Sequence, residues 1–273
     1  MIPRKRVLAV PLLMVCLGAM PWRAHAQGQP APPAYDVEAE DMLFRSLNQA
    51  RQENGLPALE RDERLREAAR AHSALMAQSL KLRHQLDGEP VLSQRLAGTG
   101  LRFDRDAENV AFGETAEDTH AGFMRSPGHR ANILSTENNA VGIGVVRRGS
   151  LVWVTQDFAH RLRLLTDEQA ESLAAEAFTG LQKLPPVRRL DLPQLRSMAC
   201  DMAKSGKLDT SKVLGLRDVH YALAFTTAEP GDLPANVRKL RAQGAVERFA
   251  MGACFAVSPE YPGGMFWMLM AAY

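Results

Sequence analysis

Apolar positions along the chain fall into periodic stretches separated by joints marked by glycine, proline or polar residues. Leu43, Phe44, Leu47 and Ala50 recur at helical spacing from a start near Asp36. Asn54-Gly55 stops that helix, since glycine tolerates the left-handed conformation of a helix end. Leu56-Pro57-Ala58-Leu59 is a short extended piece, and a second helix starts near Asp62 with Leu65, Ala68, Ala69, His72, Leu75 and Met76 on one face. Residues 81–105 carry no sustained period; Asp87-Gly88 marks a turn and residues 93–97 a short helix. A further helix over 117–124 ends at Ser126-Pro127-Gly128, which leaves Glu108 in a loop before the first strand. Two apolar, β-branched runs at 141–147 and 151–158, joined by Arg148-Gly149-Ser150, predict a strand hairpin.

Thr166 and Gln169 form a capping box for a helix running to about Leu181. The earlier pattern then returns in order. Phe178 and Leu181 resemble Phe44 and Leu47; Leu184-Pro185-Pro186-Val187 resembles Leu56 to Leu59; Met202 to Leu208 resembles Met76 to Leu82. Ala224-Phe225 matches Ala111-Phe112, Gly252 matches Gly142, and Phe266-Trp267 matches Val152-Trp153. Matches in one order point to a degenerate internal repeat, against the alternative of chance similarity between two helix-plus-hairpin segments. Phe266 to Met270 reads as a buried strand.

The N-terminus changes the reading of charge. Arg4, Lys5 and Arg6, an apolar run over 7–17 and Ala24-His25-Ala26 follow the order of a cleavable secretory signal, with cleavage near Ala26. The run is short for a bilayer span, which needs about 20 apolar residues, and Pro11 interrupts it. The formal charge of +2 falls to about −2 once the four bases Arg4, Lys5, Arg6 and Arg23 are removed, so charge gives no case for nucleic acid. Residues 27–34 form a Pro-rich spacer, and no later segment is apolar enough for a membrane span in the mature chain. Of three cysteines only Cys200 and Cys254 follow the signal; they form either a disulfide or two buried thiols.

Candidate chemistry gathers in the first half: His84 beside Arg83, Glu108-Asn109, and Ser126-Pro127-Gly128-His129-Arg130. Two neutral imidazoles with a carboxylate nearby suit a divalent metal ion such as Zn²⁺, bound weakly because a third protein ligand is not evident. The competing readings make His84 a surface residue, His129 a loop cap and Glu108 a structural acceptor. His72, on an apolar helix face, reads as a core histidine, and Arg95 and Gln156 as structural polar contacts. Ser126, His129 and Glu108 also allow a hydrolase, either serine or metal-assisted, although no nucleophile elbow surrounds Ser126.

The ordered motifs identify a family resemblance. Leu47-Asn48-x-x-Arg51, His72-Ser73-x-x-Met76, His84-x-x-Asp87-Gly88, Glu108-Asn109-x-Ala111-x-Gly113, Ser126-x-Gly128-His129-Arg130-x-Asn132, Gly142-x-Gly144 and Trp153-x-Thr155-Gln156-x-Phe158 resemble the CAP superfamily. These are the SCP-like domains of cysteine-rich secretory, antigen 5 and pathogenesis-related proteins, here of the bacterial branch. The resemblance implies an α+β fold, an α-β-α sandwich with a central cleft, over residues 37–160. Residues 161–273 then form a smaller α+β domain, a shrunken copy. His84 and His129 match the family's two cleft histidines and Glu108 one acid, while Ser126 stands near its second acid and Phe123 where many members carry Trp. The implied role is a secreted binding or interaction module, with a lipid, sterol, peptide or cell-envelope component as partner. An extracellular hydrolase and a purely structural envelope protein are the alternatives. The second half, which places Thr210 opposite His84 and Tyr221 opposite Glu108, is expected to lack the site.

Overall fold

The computed structural model describes residues 34–181 and 184–273; the expected signal and the spacer up to residue 33 lie outside them. The first half runs α1 (Val37–Glu53), β1 (Glu60–Arg61), α2 (Glu63–Ser79), α3 (Leu92–Gly98), β2 (Phe103–Gly113), α4 (Ala116–Arg125), α5 (Pro127–Ile133), β3 (Ala140–Arg148) and β4 (Leu151–Arg161). Asp36 and Asp62 start α1 and α2 by accepting hydrogen bonds from main-chain N–H groups of the first turn. The sheet order is β1-β3-β4-β2, with β1 parallel to β3 and the other pairs antiparallel.

Alternation along the strands separates two cores. Val141, Ile143, Val145, Val152, Val154 and Phe158 pack against α1, α4 and α5 through Leu43, Leu47, Phe123 and Ile133. The opposite face carries Ala140 and Ala159 against Leu65, Ala68 and Leu96, and Trp153 and Val110 against Met76. This is an α-β-α sandwich. Gly142 and Gly144 let α2 lie directly on β3, since a Cβ at either position would overlap the backbone at Arg66 or Arg70.

Three local expectations change. Glu108 lies within β2, an eleven-residue edge strand, and not in a loop. His129, read as a loop cap, is helical: Ser126 ends α4 as expected, but Pro127 at once opens α5, where its missing N–H costs nothing. Leu75 is 40% exposed, so the buried stripe of α2 excludes it.

The second half runs α6 (Asp167–Thr179), β5 (Arg188–Arg189), α7 (Gln194–Ser205), α8 (Ser211–Leu214), β6 (Tyr221–Thr227), α9 (Ala235–Ala242), β7 (Arg248–Ala256) and β8 (Met265–Ala272). Its sheet order β5-β7-β8-β6, with β5 parallel to β7, reproduces the first sheet strand for strand. One core packs on α6 and α9 through Phe178 and Val237, the other on α7 through Leu195 and Ala199. β8 is buried through Phe266 to Ala272.

A shared anchor fixes the correspondence. Glu40 pairs with Arg70 at 2.6 Å and accepts from the Val145 N–H at 3.3 Å. Glu171 pairs with Arg196 at 2.8 Å and accepts from the Ala253 N–H at 3.1 Å. Gly252 therefore answers Gly144, two residues from the sequence match. The strand registers set Ala224 opposite Leu269 as Val110 is set opposite Thr155, so Ala224 answers Val110 and not Ala111. By the same registers Glu108 is answered by Ala222, one residue from Tyr221, and Asp157 by Ala271. A one-residue slip reverses the face a strand residue occupies, which is why apolar composition alone misplaced it. Cys200 and Cys254 form a disulfide joining α7 to β7, with Cα atoms 5.0 Å apart.

Candidate functional site

The site is built on the edge strand β2. Asp106, Glu108 and Val110 share its face toward α2 and α3, and Glu108 stands directly opposite Asp157 of β4. The Glu108 carboxylate is buried and held from two sides. One oxygen accepts from Nδ1 of His84 at 2.8 Å, and the other from Nη2 of Arg95 at 2.6 Å, with His72 Nε2 3.7 Å away. Arg95 also pairs with Glu89 at 3.2 Å, and Glu89 receives Nδ1 of His72 at 2.7 Å and the Leu86 N–H at 3.0 Å. His72 Nε2 meets the Arg83 carbonyl at 2.9 Å, so this core histidine has partners at both ring nitrogens and braces the loop that carries His84. His84 itself is 64% exposed over its side chain.

His129 comes from the opposite helical layer. Asn132 donates to the Glu108 carbonyl at 3.2 Å and to Asn109 Oδ1 at 2.9 Å, while Asn109 donates to the His129 carbonyl at 3.1 Å and to Gln156 Oε1 at 3.1 Å. These amides pin α5 to the open edge of β2, where the carbonyl would otherwise lack a strand partner. The imidazole of His129 and the ring of Phe123 form a T-shaped pair with centroids 5.1 Å apart. Burial, and then the charge of His84, hold His129 below the usual histidine pKa, which leaves it neutral at physiological pH. Ser126 caps the junction of α4 and α5 through its main chain, and among the described residues its hydroxyl makes no hydrogen bond to His129 or Glu108.

The donor types suit a divalent ion, but the spacing preassembles no three-donor site. Among the described residues only Asp167, Cys200 and Cys254 bring three potential ligand atoms within 4.8 Å of one another, and those cysteines are joined to each other. Zinc ligands sit about 2 Å from the ion, and His84, Glu108 and His129 do not bring three donor atoms that close together.

Asp157 is the residue the sequence reading missed. It is fully buried and neither carboxyl oxygen has a hydrogen-bond donor. Burial, and then the nearby Glu108 charge, raise its pKa well above the ordinary carboxyl range, with Arg95 opposing. Asp106 is raised for the same two reasons. Asp157 therefore holds a proton next to Glu108. A carboxyl raised in the folded state contributes stability that is complete below its unfolded pKa and is lost as pH rises through the folded value. Asp157→Asn should thus stabilise the first half by about 1–2 kcal/mol at pH 8, with the gain vanishing near pH 4. Urea titrations at the two pH values check this.

Residues 44–158 match the sequence model of the cysteine-rich secretory protein family, CAP. The first half of the chain is a CAP domain. The uncharacterized protein YkwD of Bacillus subtilis is 34% identical over 118 residues, 43% of this chain and 46% of that protein. The uncharacterized membrane protein YlbC of the same organism is 29% identical over 127 residues, 45% of this chain and 35% of that protein. The chain thus spans less than half of either curated relative. Among solved structures, an extracellular SCP-domain protein from Bacillus anthracis is 26% identical over 45% of this chain and 40% of its own, with a TM-score of 0.42. Na-ASP-1 is 9% identical over 90% of this chain and 91% of its own, with a TM-score of 0.46. No helix among the described residues is long and apolar enough to cross a membrane.

Proposed function

We propose that this CAP domain is an exported binding module whose cleft presents a carboxylate-oriented imidazole pair, able to take a divalent transition-metal ion weakly. The observation that supports this reading is the 2.8 Å contact between Glu108 and Nδ1 of His84. With Nδ1–H donating to the carboxylate, Nε2 keeps its lone pair, the arrangement by which a second carboxylate orients a metal-binding histidine. His129, held neutral by burial, supplies the second nitrogen. An ion bound by these two would fill its remaining positions with water or with a donor from the partner. Glu108 would set ring orientation and would not itself ligate, because Arg95 occupies its other oxygen. The partner classes that fit such a module are a lipid, sterol, peptide or cell-envelope component. The signal-like N-terminus supports export to the periplasm or medium.

Calorimetric titration of zinc into the chain from Gln27 onward tests the reading. One-to-one binding is expected, weakened at least about tenfold by Glu108→Gln and lost in both His84→Ala and His129→Ala. Binding that survives both histidine variants removes the metal pair from the function.

A further inference from the structure

We propose that the cavity between the two halves of the chain is a binding site for a small oxyanion, of which phosphate is the simplest, held by Arg102 and Arg163. The cavity measures about 260 Å³ and is lined by Arg102, His160, Arg161 and Arg163 from the first half and its connection, and by Leu173 and Ala228 from the second. That is below the usual size of a pocket for a drug-sized ligand.

Arg102 carries the argument. It is 4% exposed, and among the described residues it has no carboxylate within ion-pair distance. Nη1 donates to the Arg163 carbonyl at 2.6 Å and Nη2 to the Ala228 carbonyl at 3.1 Å. Its guanidinium carbon lies 4.8 Å and 4.7 Å from the ring centroids of Phe255 and Phe266. Nε is buried without any partner. A guanidinium has five N–H donors, so most of its capacity remains unused here. Two other fully buried arginines, Arg51 and Arg241, also bond main-chain carbonyls, but neither leaves a buried nitrogen unpartnered.

The other cations divide clearly. Arg161 is committed to Glu60 and Asp62, and His160 to Asp104 at 2.7 Å. Arg163 is exposed and has no ion-pair partner among the described residues. Glu229, exposed at the rim, is the one acid lining the cavity. The lining therefore holds an excess of positive charge around a buried cation with spare donors. An oxyanion accepts several such donors at once, and charge-assisted hydrogen bonds of this kind are about twice as strong as neutral ones. The inference is independent of the histidine cleft.

The test is calorimetric titration of inorganic phosphate into the chain from Gln27 onward at fixed ionic strength, with chloride as control. Arg163→Ala and Arg163→Glu run alongside; both change an exposed side chain, and circular dichroism checks that each variant keeps the parent fold. One saturable site is expected, weakened about five- to tenfold by Arg163→Ala and abolished by Arg163→Glu. No saturation beyond the chloride control, or binding unchanged in both variants, overturns the proposal. Co-sedimentation with phosphatidylglycerol vesicles without binding of free phosphate also overturns it, since the site would then serve a membrane headgroup.

Discussion

Arg51→Ala should destabilise the first half by about 3–5 kcal/mol, a loss large enough to compete with the whole stability of a domain. Arg51 is fully buried at the end of α1 and acts as a three-way main-chain clamp. Nε donates to the Pro57 carbonyl at 2.8 Å, and Nη1 to the carbonyls of Ile133 and Ser135 at 2.7 Å and 2.8 Å. The side chain thus ties the first helix to the connection before β1 and to the end of α5. Hydrogen bonds from a charged donor are worth about 1.5–3 kcal/mol each, and truncation leaves three carbonyls without their donor as well as a cavity. Arg51→Lys should recover only part of the loss, because one ammonium cannot span the same fork. Trp153 lies in the first sheet and Trp267 in the second. Urea unfolding followed in Trp153-only and Trp267-only backgrounds assigns the loss: an early transition at Trp153 alone is the expected result, and an unshifted one refutes the clamp.

Reduction of the Cys200–Cys254 disulfide is the second large effect, and it should fall on the other half. The two cysteines are 54 residues apart, and closing a loop of that length removes denatured-state entropy worth about 4 kcal/mol at 25 °C. Cys254 pairs across the sheet with Trp267, so the reporter sits at the link. In a reducing agent, or as Cys200→Ala with Cys254→Ala, the Trp267 transition should move to lower urea while that of Trp153 stays. Equal movement of both would mean that the two sheets unfold as one cooperative unit.

The parts of the fold legible in the sequence were those whose burial is apolar. Leu43, Leu47, Leu65 and Met76 repeat at helical spacing and are all buried, and the hairpin over β3 and β4 pairs two largely apolar, buried strands. β2 escaped because its face toward α2 carries Asp106 and Glu108, buried by the site and not by the core, so its alternation looks like a polar loop. α5 escaped because Pro127-Gly128 reads as a stop, although proline at the first turn begins a helix as readily as it ends one. The histidines were found through the order of the motifs. Their support was not: Glu89 lies in a stretch without period, and Asp157 is hidden in an apolar strand whose neighbours give no sign of a buried acid. The repeat was visible, but its strand register was set by the Glu40 and Glu171 anchors, which no local match encodes.

The duplicated sandwich gives the molecule an internal control. Where one copy places Glu108 and Asp157 across from each other, the other places Ala222 and Ala271 on the same scaffold. A ligand recognising the general shape of the sandwich would have two places to go on each chain, whereas one reading the ionisable cluster would have one. Binding stoichiometry alone, before any residue is changed, therefore separates recognition of a fold from recognition of a chemistry.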